Sequence, residues 1–172
     1  QFCAAFGIPV CREAIASDLA AAANAARKIG WPVALKASGE ELLHKTEVGG
    51  IALNLKTEAE VRQAGERLLG IPGCQALLVQ EMVVGHRELV CGLVRDAQFG
   101  PCVMFGIGGV LTEVFQDVAF RVAPLSAGDA RRMIAEIRNR KILEPSRGQP
   151  AVDIEILAQI LVALGEIGLQ YE

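Results

Sequence analysis

At 172 residues the chain is long enough for one domain with a full core, or for two small lobes sharing a cleft. Hydrophobic content of 52% against 22% charged residues excludes a disordered segment. A formal net charge of −3 and aromatics at only 5% exclude the basic footprint and stacking platforms of a nucleic-acid binder, leaving small molecules and proteins as partners.

The 5 cysteines, at positions 3, 11, 74, 91 and 102, are odd in number and show no CxxC spacing, so neither a disulfide framework nor a zinc site is expected. They read as mostly buried thiols of a reducing compartment, with Cys91 and Cys102 inside apolar strand-like runs. No uninterrupted apolar run of about 18 residues occurs, and QFCAAFGIPV lacks the basic start of a secretory leader. The expectation is a cytoplasmic protein with no membrane partner. A start without Met and an end just after an apolar helix suggest a piece of something longer.

In chain order, Ser17 and Asp18 open an alanine-rich helix that Gly30 and Pro32 close. PVALKA follows as a strand, and GIALNL, beyond the HKTEVGG stretch, as another. Thr57 with Glu60 forms a capping box for a helix with Val61, Ala64 and Leu68 on one face. QALLVQEMV is nearly continuous in apolar residues and reads as a strand buried on both faces. Gly85 breaks it. HRELVCGLVRD alternates, and with the turn at Asp96-Ala97 and PCVMF it predicts an antiparallel hairpin. Beyond GIGGV and TEVFQDVAFRVA, Ser126 and Asp129 cap a helix presenting Ala130, Met133, Ile134 and Ile137. The polar stretch EPSRGQP precedes a last helix from Asp153, whose Ile154, Leu157, Ile160, Leu161, Leu164 and Ile167 follow the 3.6-residue period. The alternation argues for an α/β or α+β fold, with a boundary near Met82 to Gly85 dividing two lobes, residues 1–83 and 84–172.

Several residues carry chemistry in this frame, each beside a plainer alternative. Lys36, at a strand end, can extend a compact charge to a nucleotide phosphate, or simply face solvent. Eight residues on, His44 and Lys45 lie in a stretch ending in Gly49 and Gly50, where backbone amides can approach an anion closely. An imidazole that titrates near neutrality can act as a base or carry a phosphoryl group; an HK pair can equally be surface decoration. Glu81 and Glu88 flank the proposed hinge and can accept from adenine or ribose, while the backbone of Glu81 to Val83 can read an adenine edge. GIGG, Gly106 to Gly109, is a second glycine loop that matches neither GxGxxG nor the GxxxxGKS phosphate loop. Glu113, Asp117 and Arg121 recur every fourth residue, as a Mg²⁺ ligand set with a phosphate clamp or as an ion-paired face. His86 and Arg147 read as exposed residues of a strand start and a linker.

Taken in order, GIPV, WPVALKAS, LLHKTEVGGIALNL, LLVQEMVVGHRELVCGLVRDAQFGPCVMFGIGGVLTE, DVAFRVAPLS and SRGQPAVD resemble the ATP-grasp domain of the ADP-forming acyl-CoA synthetases, including the acetate-CoA ligase β subunit and related acetyltransferase fusions. The likeness covers essentially the whole chain. It implies an ATP-grasp fold, two α/β lobes with a nucleotide cleft between them, truncated here at the C-terminus. By that resemblance Lys36 binds phosphate, Gln80, Glu81, Met82 and Val83 form the adenine-contacting hinge, and Glu88 binds the ribose. Lys45, Gly108, Gly109 and Arg121 complete the nucleotide site, Glu113 is a candidate metal ligand, and His44 takes phosphate from a companion domain and passes it to ADP. The implied reaction is acyl-CoA + ADP + phosphate ⇌ carboxylate + CoA + ATP, catalysed by an acid-thiol ligase through a phosphohistidine, with ATP/ADP and Mg²⁺ as cofactors. Its partner is a CoA-binding, acyl-phosphate-forming domain or α subunit. The family's ExDxNP segment, which supplies Mg²⁺ ligands, is absent from these residues, and HKTE replaces the more usual HKSD. Two alternatives stay open: a nucleotide-sensing regulatory domain of a protein acetyltransferase, and an ATP-grasp ligase that uses no phosphohistidine.

Overall fold

The structure, a computed structural model, describes residues 2–39, 49–85, 87–109, 116–146 and 148–171. It divides into two units, Cys11–Val84 on one side and Gln1–Val10 with Gly85–Glu172 on the other.

The first unit is a sheet of four strands with two helices on one face. In chain order it runs β1 (Glu13–Ala16), α2 (Leu19–Ile29), β2 (Val33–Ser38), β3 (Ile51–Leu55), α3 (Glu58–Leu69) and β4 (Ala76–Glu81), while α1 (Phe2–Ala5) is a turn of helix in the other unit. The strand order is β1-β4-β2-β3 with every neighbour antiparallel. Asp18 caps α2 by accepting from the Ala21 N–H at 2.8 Å. Thr57 caps α3 by accepting from the Glu60 N–H, but Glu60 reaches one residue beyond the expected box, to the Lys56 N–H at 2.7 Å. Ala22, Ala26, Val61, Ala64 and Leu68 of the helices close on Ala16, Val33, Leu35, Ala37, Leu77 and Val79 of the sheet. Because both helices lie on that face, β4 is not buried on both sides as its apolar run suggests. Leu77 and Val79 are buried; Leu78 and Gln80, pointing the other way, are half-buried.

The second unit joins α1 (Phe2–Ala5) to β5 (Leu89–Asp96), β6 (Gly100–Ile107), β7 (Val118–Val122), α4 (Ala127–Glu136), a 3₁₀ turn at Arg140–Leu143 and α5 (Ile154–Gln170). The strands form an antiparallel sheet in sequence order. Its hairpin turn is fixed by Asp96, whose Oδ1 accepts from the N–H groups of Gln98 and Phe99. In α4 the Ser126–Asp129 capping box is complete, and Ala130, Met133 and Ile134 face Val103, Phe105, Ala119 and Leu161 in the core. The sequence boundary places the first residues with lobe one. They group instead with the second unit, where the rings of Phe2, Phe6 and Tyr171 meet at centroid distances of 5.0 to 6.0 Å.

All five cysteines are free thiols and half-buried, so the expectation that most are buried is corrected: Cys3 lies in a short helix, Cys91 and Cys102 on strands of the second sheet, and Cys11 and Cys74 in connections, with Cys74 and Cys91 packed at the edge of a core. Burial nonetheless pushes the Cys91 thiol up to about 11. Among the described residues no helix is long and apolar enough to cross a membrane.

Candidate functional site

The face of the first sheet turned away from α2 and α3 assembles a polar group from three strands. Pairing sets Ala34 and Glu13 opposite Gln80, and Lys36 one diagonal step away opposite Leu78. Lys36 and Gln80 thus meet although 44 residues apart in sequence: the Lys36 Nζ donates to Gln80 Oε1 at 2.6 Å. Gln80 Nε2 in turn donates to Glu13 Oε2 at 2.9 Å. Lys36 is therefore not the solvent-facing strand lysine of the plainer reading; it is half-buried and held by a neutral amide, and among the described residues it belongs to no ion pair. Glu13 escapes sequence reasoning. Its only signal is the alternation of EAIA, and nothing in that spacing says which strand it lies beside.

The residues that follow Gln80 are partly engaged already. Glu81 receives the Arg12 guanidinium as a fork, Nε to Oε2 at 2.9 Å and Nη2 to Oε1 at 3.1 Å, and also accepts the Arg12 N–H. These bonds hold the Glu81 carboxyl below the usual carboxylate range. The Glu81 N–H donates to the Arg12 carbonyl and the Met82 N–H to that of Pro32, whereas the Val83 N–H enters no backbone hydrogen bond among the described residues. Of the backbone donors expected to read an adenine edge, Val83 is the one left available. Its side chain is 66% exposed.

In the second unit, Glu88 and the GIGG loop come together because β5 and β6 pair with Leu89 opposite Ile107. The Gly108 N–H donates to the Glu88 carbonyl at 2.8 Å. Gly109 has φ +76°, which favours glycine, and a Cβ there would lie 2.6 Å from Glu88 Oε2, so that any other residue would also displace the Glu88 carboxylate. Arg87 braces the start of this segment by donating to the carbonyls of Pro150 and Glu144.

The triplet proposed for metal and phosphate resolves differently. Asp117 and Arg121 do share a face of the β7 segment, but Asp117 is buried at 6% exposure and accepts from the N–H groups of Arg138 and Asn139, both at 2.8 Å, and from Asn139 Nδ2 at 3.0 Å. Burial pushes its pKa up, yet those donors more than offset this and the carboxyl is held below its ordinary value. It fastens the turn after α4. Arg121 pairs with Glu136 and donates to the Phe120 carbonyl at 2.7 Å, which is the ion-pair alternative with a partner the spacing did not suggest. His44, Lys45 and Glu113 lie outside the described residues, as do His86 and Arg147. No group of three or more His, Cys, Asp or Glu side chains placed to hold a metal occurs among the described residues.

Comparison with known proteins gives the class. The sequence model of the ATP-grasp domain matches residues 1–172. The chain is 38% identical over 172 residues to the β subunit of acetate–CoA ligase (ADP-forming) I of Pyrococcus furiosus, covering 96% of this chain and 74% of that subunit. It is also 38% identical to acetate–CoA ligase (ADP-forming) I of Archaeoglobus fulgidus, but spans only 25% of that longer protein. Acetyl-coenzyme A synthetase 1 of Ca. Korarchaeum cryptofilum, solved with coenzyme A and Ca-AMPCP, superposes with a TM-score of 0.94 at 44% identity over 99% of this chain and 77% of that one. A second structure of that synthetase holds coenzyme A and Mg-AMPPCP, with a phosphohistidine segment pointing towards the nucleotide-binding site, and superposes at 0.86 with 45% identity over 99% of this chain and 76% of that one. The chain belongs to the ATP-grasp family, in the branch of the ADP-forming acetate–CoA ligases.

Proposed function

We propose that this chain is the nucleotide-binding, phosphoryl-transferring portion of an ADP-forming acyl-CoA synthetase. The observation that carries the reading is Lys36, whose charge is oriented by the Gln80 amide and left uncancelled by any carboxylate among the described residues. Such an ammonium keeps N–H donors for a phosphate. The Val83 N–H and exposed side chain supply an edge for adenine, and Glu88 over Gly109 supplies acceptors for ribose hydroxyls. ATP or ADP enters with Mg²⁺ as its counter-ion, as Mg-AMPPCP does in the Korarchaeum relative.

In the reaction, phosphate displaces CoA from the acyl-CoA on a partner domain or α subunit and leaves an acyl phosphate. A ring nitrogen of His44 attacks its phosphorus and the carboxylate departs. A terminal oxygen of ADP then attacks the phosphohistidine phosphorus, which yields ATP and returns the free imidazole. Each transfer requires positioning and charge neutralisation more than covalent help from the protein. Membership of a β subunit in the Pyrococcus relative, and the fourfold longer Archaeoglobus chain, support a companion subunit or fused domain. Five thiols without a disulfide support a reducing, cytoplasmic setting.

The test is phosphorylation of the full-length protein with labelled ATP and Mg²⁺. The expected label is stable to base and labile to acid, and His44→Ala abolishes it. Label that persists in the variant contradicts the assignment.

A further inference from the structure

A lysine that must meet a polyphosphate needs a fixed direction without a cancelled charge. A carboxylate partner gives direction but neutralises the cation; an amide gives direction and leaves the charge in place. An amide alone, however, has two ends and can turn over. The Lys36 ammonium has donors only, so the Gln80 carbonyl oxygen must face it, which turns the Gln80 NH₂ to the opposite side. There stands Glu13 Oε2, an acceptor that can take only the NH₂ end, at 2.9 Å. Glu13 and Gln80 are direct cross-strand partners on β1 and β4, so the contact is built into the register of the sheet. The neighbouring pair, Arg12 and Glu81, locks that register by a fork of side-chain bonds and by the Glu81 N–H to the Arg12 carbonyl.

We propose that Glu13 is a positioning residue for the nucleotide phosphates: it fixes the orientation of the Gln80 amide, which holds the Lys36 ammonium toward the bound diphosphate. The inference rests on the reading of Lys36 as the phosphate-binding lysine. Glu13 touches no substrate. Its exposed position lets its own charge be screened by water while its hydrogen bond acts on the half-buried amide.

The relay predicts a loss that depends on phosphate. With the full-length protein, calorimetric titration with Mg·ADP is compared with titration with adenosine. Glu13→Ala weakens Mg·ADP about 3- to 10-fold, the worth of one hydrogen bond to a polar group, and leaves adenosine unchanged. Gln80→Glu puts a carboxylate against Lys36 and beside Glu13, and weakens Mg·ADP by more than about tenfold. Glu13→Asp, which keeps an acceptor on β1, binds Mg·ADP more tightly than Glu13→Ala. If Lys36→Met weakens Mg·ADP while Glu13→Ala and Gln80→Glu do not, the relay is overturned and the phosphate-binding lysine stands. If Lys36→Met has no effect, both fall. Equal weakening of Mg·ADP and adenosine in Glu13→Ala overturns the relay, because that pattern reports general damage to the sheet.

Discussion

Gly39 stands between the Lys36 strand and the HKTEVGG segment, and its backbone passes so close to a neighbouring turn that a Cβ built on it would lie 1.9 Å from the carbonyl oxygen of Gly73. The adjoining Ser38 carbonyl accepts the Gln75 N–H at 2.8 Å, so the turn cannot move off without breaking a backbone bond. Gly39→Ala is therefore expected to destabilise the protein by about 1 to 3 kcal/mol, the usual cost of overpacking. Chemical unfolding measures it, and an unchanged midpoint refutes the contact. Sequence reading brought Lys36 forward because a charged residue interrupts PVALKA, and Gln80 because the family resemblance places it in the hinge. It joined neither to the other, nor to Glu13 or Arg12, because side-chain partners 44 to 69 residues apart depend on strand register, which local pattern does not encode. Asp117 was legible as a carboxylate with a purpose, but not as a turn fastener, since its donors come from residues 138 and 139.

Helices were legible at their ends because capping is local: Asp18, Thr57, Ser126 and Asp153 each accept from an N–H two or three residues on. Strands β2 to β6 were legible too, but β1 and β7 were not, and neither was the burial of β4, since it depends on which faces the helices take. The Ser126–Asp129 box gives a pH prediction. Bonds from the Ser126 hydroxyl and N–H, then from Arg132, hold the Asp129 carboxyl down to about 2. A depressed folded pKa means that this stabilisation is complete above the unfolded value near 4 and is lost as pH falls from there toward 2. Asp129→Asn should accordingly lower unfolding stability at pH 6 and approach the wild type at pH 2. A difference that is equal at both pH values would show that the carboxylate charge contributes nothing to the cap.

At the scale of the molecule, each unit has a core of its own, one around Leu35, Leu68 and Leu77 and the other around Phe105, Met133 and Leu161. The helix faces that line them were foreseeable from periodicity, while the grouping of the first ten residues with the second unit was not, because ring contacts among Phe2, Phe6 and Tyr171 leave no periodic trace. The order of lysine, HK stretch, hinge and glycine loop carried the family resemblance, and the ATP-grasp match over residues 1–172 bears it out. In the function proposed for it, this chain passes phosphate to a nucleotide. That transfer is tested most directly by a chase: the full-length protein is phosphorylated with labelled ATP, freed of nucleotide, and given unlabelled ADP. Label is expected to leave the protein and appear as ATP, only when ADP is present and only with His44 intact. Label that stays on the protein, or leaves as inorganic phosphate without ADP, would contradict it.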